Sequence, residues 1–251
     1  MAEIPAKSRK SAKKPTAAPA RRVRRAGLAW RLVRRLVSAI AIVILMPVVL
    51  VPVYSTVNPP ITTVMIAKRI AGASIIKVWR PIETISPHLV RAVIVAEDAR
   101  FCAHSGIDWQ QVEEVLLDTE DGGPLRGAST ITRQTVKNLF LWPGRSWLRK
   151  GLEVPLALYA DAVLSKRRIM EIYLNIAEWD KGVYGAQAAA QHYFGVSAAR
   201  LSAAQAARMA ATLPAPWLRD PARPSRTLGR LATVHARRAA AAGPYVACVL
   251  N

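Results

Sequence analysis

Residues 36–57, LVSAIAIVILMPVVLVPVYSTV, carry no charge, and this run divides the chain. It has about the length that crosses a bilayer core, roughly 20 residues. Its two prolines, Pro47 and Pro52, would be costly in a soluble helix but are tolerated in membranes. A cleaved signal peptide would have a shorter apolar part and a small-residue cleavage site. The stretch VPVYSTVN has no such site, so the run reads as an uncleaved anchor, residues 28–57 with its flank.

Charge sets the orientation. Residues 1–57 hold twelve Lys or Arg against one acid, Glu3, whereas the rest holds 24 basic and 15 acidic residues. Basic flanks stay on the cytoplasmic side. Residues 1–27, rich in Lys, Arg, Ala and Pro, cannot bury enough surface to order themselves. They are expected to be a disordered cytoplasmic tail, with residues 58–251 across the membrane. That topology separates the most basic segment from the folded body and argues against nucleic acid as a partner. The body, still net basic, favours anionic ligands. Cys102 and Cys248 make no disulfide framework or metal spacing, and Cys102 reads as a small core residue.

The remaining 194 residues read mainly as helices. SPHLVRAVIVAEDARF opens on Ser86 as cap with Pro87 at the first helical position. STITRQTVKNLFL starts at Ser129 or Thr130; LEVPLALYADAVL, RRIMEIYLNIAEW, SAAQAARMAATL and TLGRLATVHARRAAAA follow. Strand patterning is scarce. LDTEDGGPLRG, acidic and glycine-rich, reads as a mobile loop.

Val90, Val93, Ile94 and Glu97 fall at i, i+3, i+4 and i+7, so they share one helix face. Glu97 ends that apolar stripe and should be partly desolvated, which raises a carboxylate pKa toward the range of a general base or acid. The alternative is a salt bridge to a core arginine. Asp98 lies about a hundred degrees round the helix and needs another partner. Thr130, Gln134 and Lys137 make a polar stripe near a helix N-terminus, suited to an anion or simply wet. Arg145, Arg149 and Lys150 cluster before Glu153; arginine suits phosphate, and a carboxylate beside phosphate could recruit a divalent cation. Lys166, Arg167 and Arg168 open a helix, where cations are disfavoured, so acids or an anion should compensate. Glu171, Asn175 and Glu178 read as one polar stripe. His104 reads as a structural histidine bonded to the neighbouring loop.

In order and spacing, EDARFCAHSG, GASTITRQTVKNLFL, RKGLE and KRRIMEIYLNIAEW resemble the motifs of the peptidoglycan glycosyltransferases, specifically the monofunctional biosynthetic transglycosylases of Gram-negative bacteria. The resemblance runs from about Asn58 to Trp217. It implies a mainly α, lysozyme-like, two-lobed glycosyltransferase domain behind one transmembrane helix, in the inner membrane with the catalytic domain periplasmic. It implies polymerisation of lipid II into β-1,4-linked glycan, with inversion and release of undecaprenyl diphosphate. By position, Glu97 resembles the catalytic base, and Glu153 the second essential glutamate beside the diphosphate and any Mg2+ or Mn2+. Lys137 and Arg149, helped by Lys150, resemble diphosphate contacts. Ser129, Thr130, Gln134 and Asn138 fall in the donor-site motif. Asp98, Phe101 and His104 would shape the loop around the base, and Glu171 and Asn175 would support the cleft. Implied partners are lipid II, the growing strand, the inner membrane, and cell-wall synthesis or division proteins.

Three residues depart from the family pattern: Arg133 where the first of two glutamines is usual, Asp180 where glycine often stands, and Ala215 in place of asparagine. Ser-x-x-Lys occurs at Ser11 to Lys14 and Ser74 to Lys77, without the other boxes of a penicillin-binding domain, so the expected enzyme is monofunctional. The rivals are a glycan-cleaving enzyme, which would need no diphosphate site, and a non-catalytic wall scaffold, which would tolerate loss of Glu97.

Overall fold

A computed structural model of the protein describes residues 20–120, 129–144 and 146–251. Most of the basic tail, most of the acidic glycine-rich loop and Arg145 lie outside the described residues. The chain falls into two units, Met1–Met46 and Pro47–Asn251. Helix α1, Ala20–Val53, covers most of the apolar run. Leu36, Val37 and Ile42 of the first unit are exposed. Among the described residues, no helix is long and apolar enough to cross a membrane.

The second unit is mainly helical, as expected. The helices placed by sequence pattern are α3 (Pro87–Glu97), α5 (Ile131–Phe140), α6 (Trp147–Val163), α7 (Lys166–Ile176), α9 (Ala203–Thr212) and α10 (Arg226–Ala240). Not anticipated were α2 (Thr63–Ile70), α4 (Trp109–Glu120), α8 (Ala186–Phe194) and the short α11 (Ala247–Leu250). Also new is a small sheet of β1 (Ile76–Lys77), β2 (Glu178–Asp180) and β3 (Val183–Tyr184) in the order β1-β3-β2, with β1 parallel to β3 and β2 antiparallel to it. Strands this short cannot show alternation in sequence. Gly182, at φ +76, turns between β2 and β3, where a Cβ would lie 2.1 Å from the Ser74 carbonyl oxygen. Only glycine permits that approach.

Two groups of helices form the core. One is α3 with α9 and α10; the other is α5 with α6 and α7. Leu89, Val90, Val93 and Ile94 of α3 are fully buried, each contributing about 1.5–3 kcal/mol by burial. Ala206, Ala207, Ala210 and Ala211 give α9 a small-residue face in the core. On α7, Ile169, Met170, Ile172 and Leu174 are buried.

Several local expectations need correction. Pro87 opens α3 and Ser86 stands at its N-cap, but the Ser86 side chain makes no capping bond; its hydroxyl donates to the Leu201 carbonyl (2.8 Å), pinning the helix start to the segment before α9. The helix stops at Glu97 rather than running on, because Asp98 leaves helical geometry (φ −162°). Glu178 does not continue the α7 stripe: that helix ends at Ile176, and Glu178 sits on β2, ion-paired with Lys68. Cys102 and Cys248 are joined as a disulfide across 146 positions. Linear spacing could not show this, because the fold brings the last helix back to the loop after α3.

The cations opening α7 find their acids, as the macrodipole required. Lys166 pairs with Asp161 (2.7 Å), Arg167 with Glu83 (2.6 Å), and Arg168 with Glu171.

Candidate active site

The end of α3 meets the start of α5, and both owe their geometry to one aspartate. Asp98 accepts the Ile131 main-chain N–H (2.9 Å), one of the donors a helix N-terminus leaves without a partner. Its carboxylate also meets His104 Nε2 at 3.0 and 3.1 Å. Thr130 caps α5 by accepting from the Arg133 N–H (3.2 Å) and donates its own hydroxyl to the Gly106 carbonyl (2.6 Å). Gly106 has φ +83, and a Cβ there would stand 2.6 Å from the Ala157 carbonyl oxygen. The loop 98–106 is thereby closed onto α5 and α6.

That frame presents Glu97. Its Oε2 accepts a hydrogen bond from Gln134 Nε2 (2.8 Å), and Tyr173 donates its hydroxyl to Gln134 Oε1 (3.3 Å). With the Tyr173 hydroxyl donating to the amide oxygen, the amide nitrogen is turned toward Glu97. Burial pushes the Glu97 carboxyl above its ordinary range, against the pull of the Gln134 hydrogen bond and of the Lys137 and Arg219 charges; Asp98 adds to the rise. The desolvated carboxylate expected from the apolar stripe is present, and among the described residues it makes no salt bridge, the alternative reading.

Beside it lies a cationic cluster. On α6, Arg149 and Glu153 are one turn apart and in contact, Nη1 to Oε1 at 2.8 Å. From α5, Arg133 Nη2 reaches Glu153 Oε2 at 3.0 Å. Arg149 and Glu153 are buried. Lys137, within electrostatic reach of Glu97, Glu153, Arg149 and Arg133, has its ammonium pKa lowered chiefly by burial. Among the described residues Lys137 has no ion-pair partner. The cluster gathers Arg133, Lys137 and Arg149 around the Glu153 carboxylate, an arrangement suited to an incoming anion.

The described residues form no dedicated cage for a divalent cation. Among the described residues no three His, Cys, Asp or Glu side chains come together. Both oxygens of Glu153, the expected metal ligand, face guanidinium groups.

The structure sorts the other sequence candidates. Gln134, Lys137 and Arg149 join Glu97 and Glu153. Lys150 does not: it is exposed, its ammonium 5.6 Å from the Trp147 ring. Phe101 is fully buried, with His104 edge-on to it and the Lys166 ammonium 4.6 Å from its ring, so it fills the loop's own core. Thr130, Asp98 and His104 hold the frame. Ser129 is half-buried just before α5, and Asn138 offers its carbonyl to Thr63 (3.4 Å). Glu171 accepts from the Ile82 N–H (3.3 Å), while Asn175, fully buried, accepts from the Arg80 N–H (2.7 Å) and donates to the Arg80 and Glu171 carbonyls. Both hold the segment 80–82 against α7.

Two contributors, Tyr173 and Arg219, went unread in the sequence, and a third, Arg133, was read only as a departure. Tyr173 sits in an apolar helical run, where it looks like any core aromatic. Arg219 lies in the loop after α9, with its guanidinium on the Ala211 carbonyl (2.7 Å). Arg133 stood out as a departure, and its bond to Glu153 gives it a place in the cluster. Asp180, another departure, pairs with His192 (3.1 Å) at a 410 Å³ cavity that also includes Trp217 and Arg219 but not Glu97.

The family described as Transglycosylase matches residues 65–240, and the chain belongs to it: the protein is a glycosyltransferase. Relatives named biosynthetic peptidoglycan transglycosylase come from several bacteria. That of Brucella suis biovar 1 (strain 1330) is 57% identical over 211 residues, covering 84% of this chain and 94% of the relative. That of Agrobacterium fabrum (strain C58) is 50% identical over 221 residues, 88% and 98% of the two chains. That of Rhizobium meliloti (strain 1021) is 49% identical over 219 residues, 87% and 93%.

Proposed function

We propose that the protein is a peptidoglycan transglycosylase that polymerises lipid II into β-1,4-linked glycan strands with release of undecaprenyl diphosphate. The observation that carries this reading is one juxtaposition: a desolvated carboxylate, Glu97, beside a cationic cluster whose Lys137 lacks an ion-pair partner among the described residues. Glu97 takes the proton of the acceptor sugar's 4-hydroxyl as that oxygen attacks the donor's anomeric carbon. The α-linked diphosphate leaves from the opposite face, so the new linkage is β. Diphosphate is a good leaving group and needs positive charge rather than an acid. Lys137, Arg149 and Arg133 meet the charge that develops on it, and Glu153 holds the two guanidinium groups in place.

A glycan-cleaving enzyme would instead need an acid for a poor sugar leaving group, and the cation cluster would have no task. The two helix groups meeting at Glu97 support the lysozyme-like, two-lobed reading. Residues 28–57 would anchor the chain in the inner membrane, with the catalytic domain periplasmic. The exposed apolar side chains of α1 and the almost fully exposed Trp147 next to Leu148 on α6 support contact with lipid. The disulfide supports an oxidising compartment. A monofunctional enzyme, cell-wall synthesis or division proteins as partners, and no nucleic acid complete the reading.

The test follows lipid II consumption by the full-length protein in detergent, with products resolved by size and Glu97→Gln alongside. A polymer ladder from the wild type alone is expected. Cleavage of finished glycan without polymer would favour the hydrolase; a folded protein that does neither would favour a scaffold.

A further inference from the structure

The loop 98–106 begins at the residue after Glu97, and its two ends are fixed by hydrogen bonds: Asp98 to His104 and the Ile131 N–H, Gly106 to Thr130. Its middle has short-range main-chain turns, Phe101 N–H to the Asp98 carbonyl (3.0 Å) and Ala103 N–H to the Arg100 carbonyl (2.7 Å), and Arg100 reaches forward to Asp108 (3.3 Å) and Gln110. There Cys102, next to the fully buried Phe101, is bonded to Cys248 on α11. We propose that Cys102 and Cys248 form an oxidative positioning site for the catalytic loop, so that the enzyme reaches full turnover only after a thiol–disulfide oxidant has joined them.

Helix α11 spans only Ala247–Leu250, too short to be stable alone. It is seated by buried Val246 and Val249 and by Arg167 of α7, which donates to the Val249 carbonyl. Helix α7 also carries Tyr173, which orients Gln134 against Glu97. The disulfide thereby closes a ring of contacts: Glu97, the loop, α11, α7, Tyr173, Gln134 and back to Glu97. Apart from the main chain itself, noncovalent contacts supply the other links. Without the disulfide, the centre of the loop keeps only the buried Phe101 and the Arg100 side chain as anchors, and its exchange with solvent beside Glu97 should rise. Forming the bond converts two thiols into a disulfide with loss of two protons and two electrons. The electrons reduce the disulfide of a thiol–disulfide oxidoreductase, or oxidised glutathione, to thiols. In a reducing cytosol the pair would stay open.

This inference rests on Glu97 as the base. Glu97 is faced by Asp98, by Lys137 from α5, by Tyr173 from α7 and by Arg219. Its carboxyl is raised chiefly by burial, so better hydration would lower it and move the acid limb of the pH–rate profile to lower pH. The experiment compares oxidised and phosphine-reduced full-length protein and Cys248→Ser in detergent. It reads hydrogen exchange in residues 98–106, helical circular dichroism, and lipid II kinetics against pH.

On reduction, and in Cys248→Ser, we expect the helical signal to persist and loop exchange to rise about tenfold. We expect kcat to fall about fivefold with KM within about twofold, and the acid limb to move down. Oxidised glutathione should restore the reduced wild type but not Cys248→Ser. Unchanged loop exchange and an unchanged pH profile in folded, reduced protein would overturn the proposal. Loss of the helical signal would overturn it too, since the bond would then hold the whole domain rather than the loop. If the oxidised wild type polymerises nothing, the functional reading fails, and loop exchange still decides the role of the disulfide.

Discussion

Glu97 and Glu153 are both half-hidden or hidden glutamates at the meeting of α5 with its neighbours, and they are prepared in opposite ways. Glu97 receives one neutral hydrogen bond, from Gln134, and is pushed toward its protonated form by burial. Glu153 is clamped between two guanidinium groups, Arg133 and Arg149. A carboxylate that must accept a proton needs weak stabilisation of its charged form. One that must hold cations in place needs the reverse. In the proposed function the same residue type thus serves two tasks, set by what surrounds it.

The contrast is broken most sharply at Glu97. Glu97→Gln keeps the shape and removes the base, and general-base loss costs on the order of 10²–10⁴ in rate. Polymerisation should fall by at least about 10³-fold with lipid II binding and helical content retained. Turnover within tenfold of wild type would remove Glu97 from the role of base.

The cation side should respond less steeply. Lys137→Ala and Arg149→Ala each remove one positive charge from the leaving-group side, with an expected loss of about 10²-fold in kcat/KM for the donor. Lys150→Ala, exposed and turned to Trp147, should leave kcat/KM within about twofold. Equal losses from Lys150 and Lys137 would mean that the anion binds elsewhere.

Stability against pH tests the same contrast without substrate. Glu97 has a folded pKa raised above its unfolded value, so the folded state binds the proton more tightly. Its contribution is present below the unfolded pKa and is lost as pH rises through the raised one. Lys137 is shifted down by burial, so in the window below the ordinary lysine pKa the folded state binds fewer protons than the unfolded, and stability rises with pH there. At neutral pH both residues are therefore held at a cost. Glu97→Gln and Lys137→Met should each raise Tm by a few degrees, about 1 kcal/mol, as functional residues often do when removed. A fall in Tm for both would show that they are stabilised by their site. The clamped Glu153 should behave oppositely, Glu153→Gln costing roughly 3 kcal/mol because it removes the charge facing the buried Arg149 and the half-buried Arg133.

The sequence spoke clearly where periodicity and motif agree. The stripe Val90, Val93, Ile94, Glu97 gave both the helix and the burial of its last residue, and six helices were legible from such stripes. The motif order identified the family. What stayed hidden was contact between distant segments. Cys102 and Cys248 meet only after the fold has returned α11 to α7. The strands are two or three residues long, too short to alternate. Phe101, Glu171 and Asn175 lie inside informative motifs, yet their side chains serve the scaffold: a motif marks residues the site depends on without separating those that frame the site from those that face substrate.

Tyr173 supplies the finest distinction between the two glutamates, because its hydrogen bond reaches Glu97 through Gln134. Burial and the nearby charges of Glu97 and Asp98 raise its phenol pKa well above the ordinary value, so it remains a donor throughout the working range. Tyr173→Phe keeps the ring in its buried site and removes one hydrogen bond, costing about 1 kcal/mol in stability. The Gln134 amide is then free to turn its oxygen toward Glu97, which would repel the carboxylate and raise the Glu97 pKa further. The expected result is a kcat lowered about threefold near neutral pH, with the acid limb of the pH–rate profile shifted to higher pH and the rate largely recovered at alkaline pH. Donor KM should be unchanged, since the Glu153 cluster is untouched. An equal loss at every pH would show that Tyr173 supports packing alone. A shift confined to the acid limb would show that the orientation of one amide separates the proton-accepting glutamate from the cation-holding one.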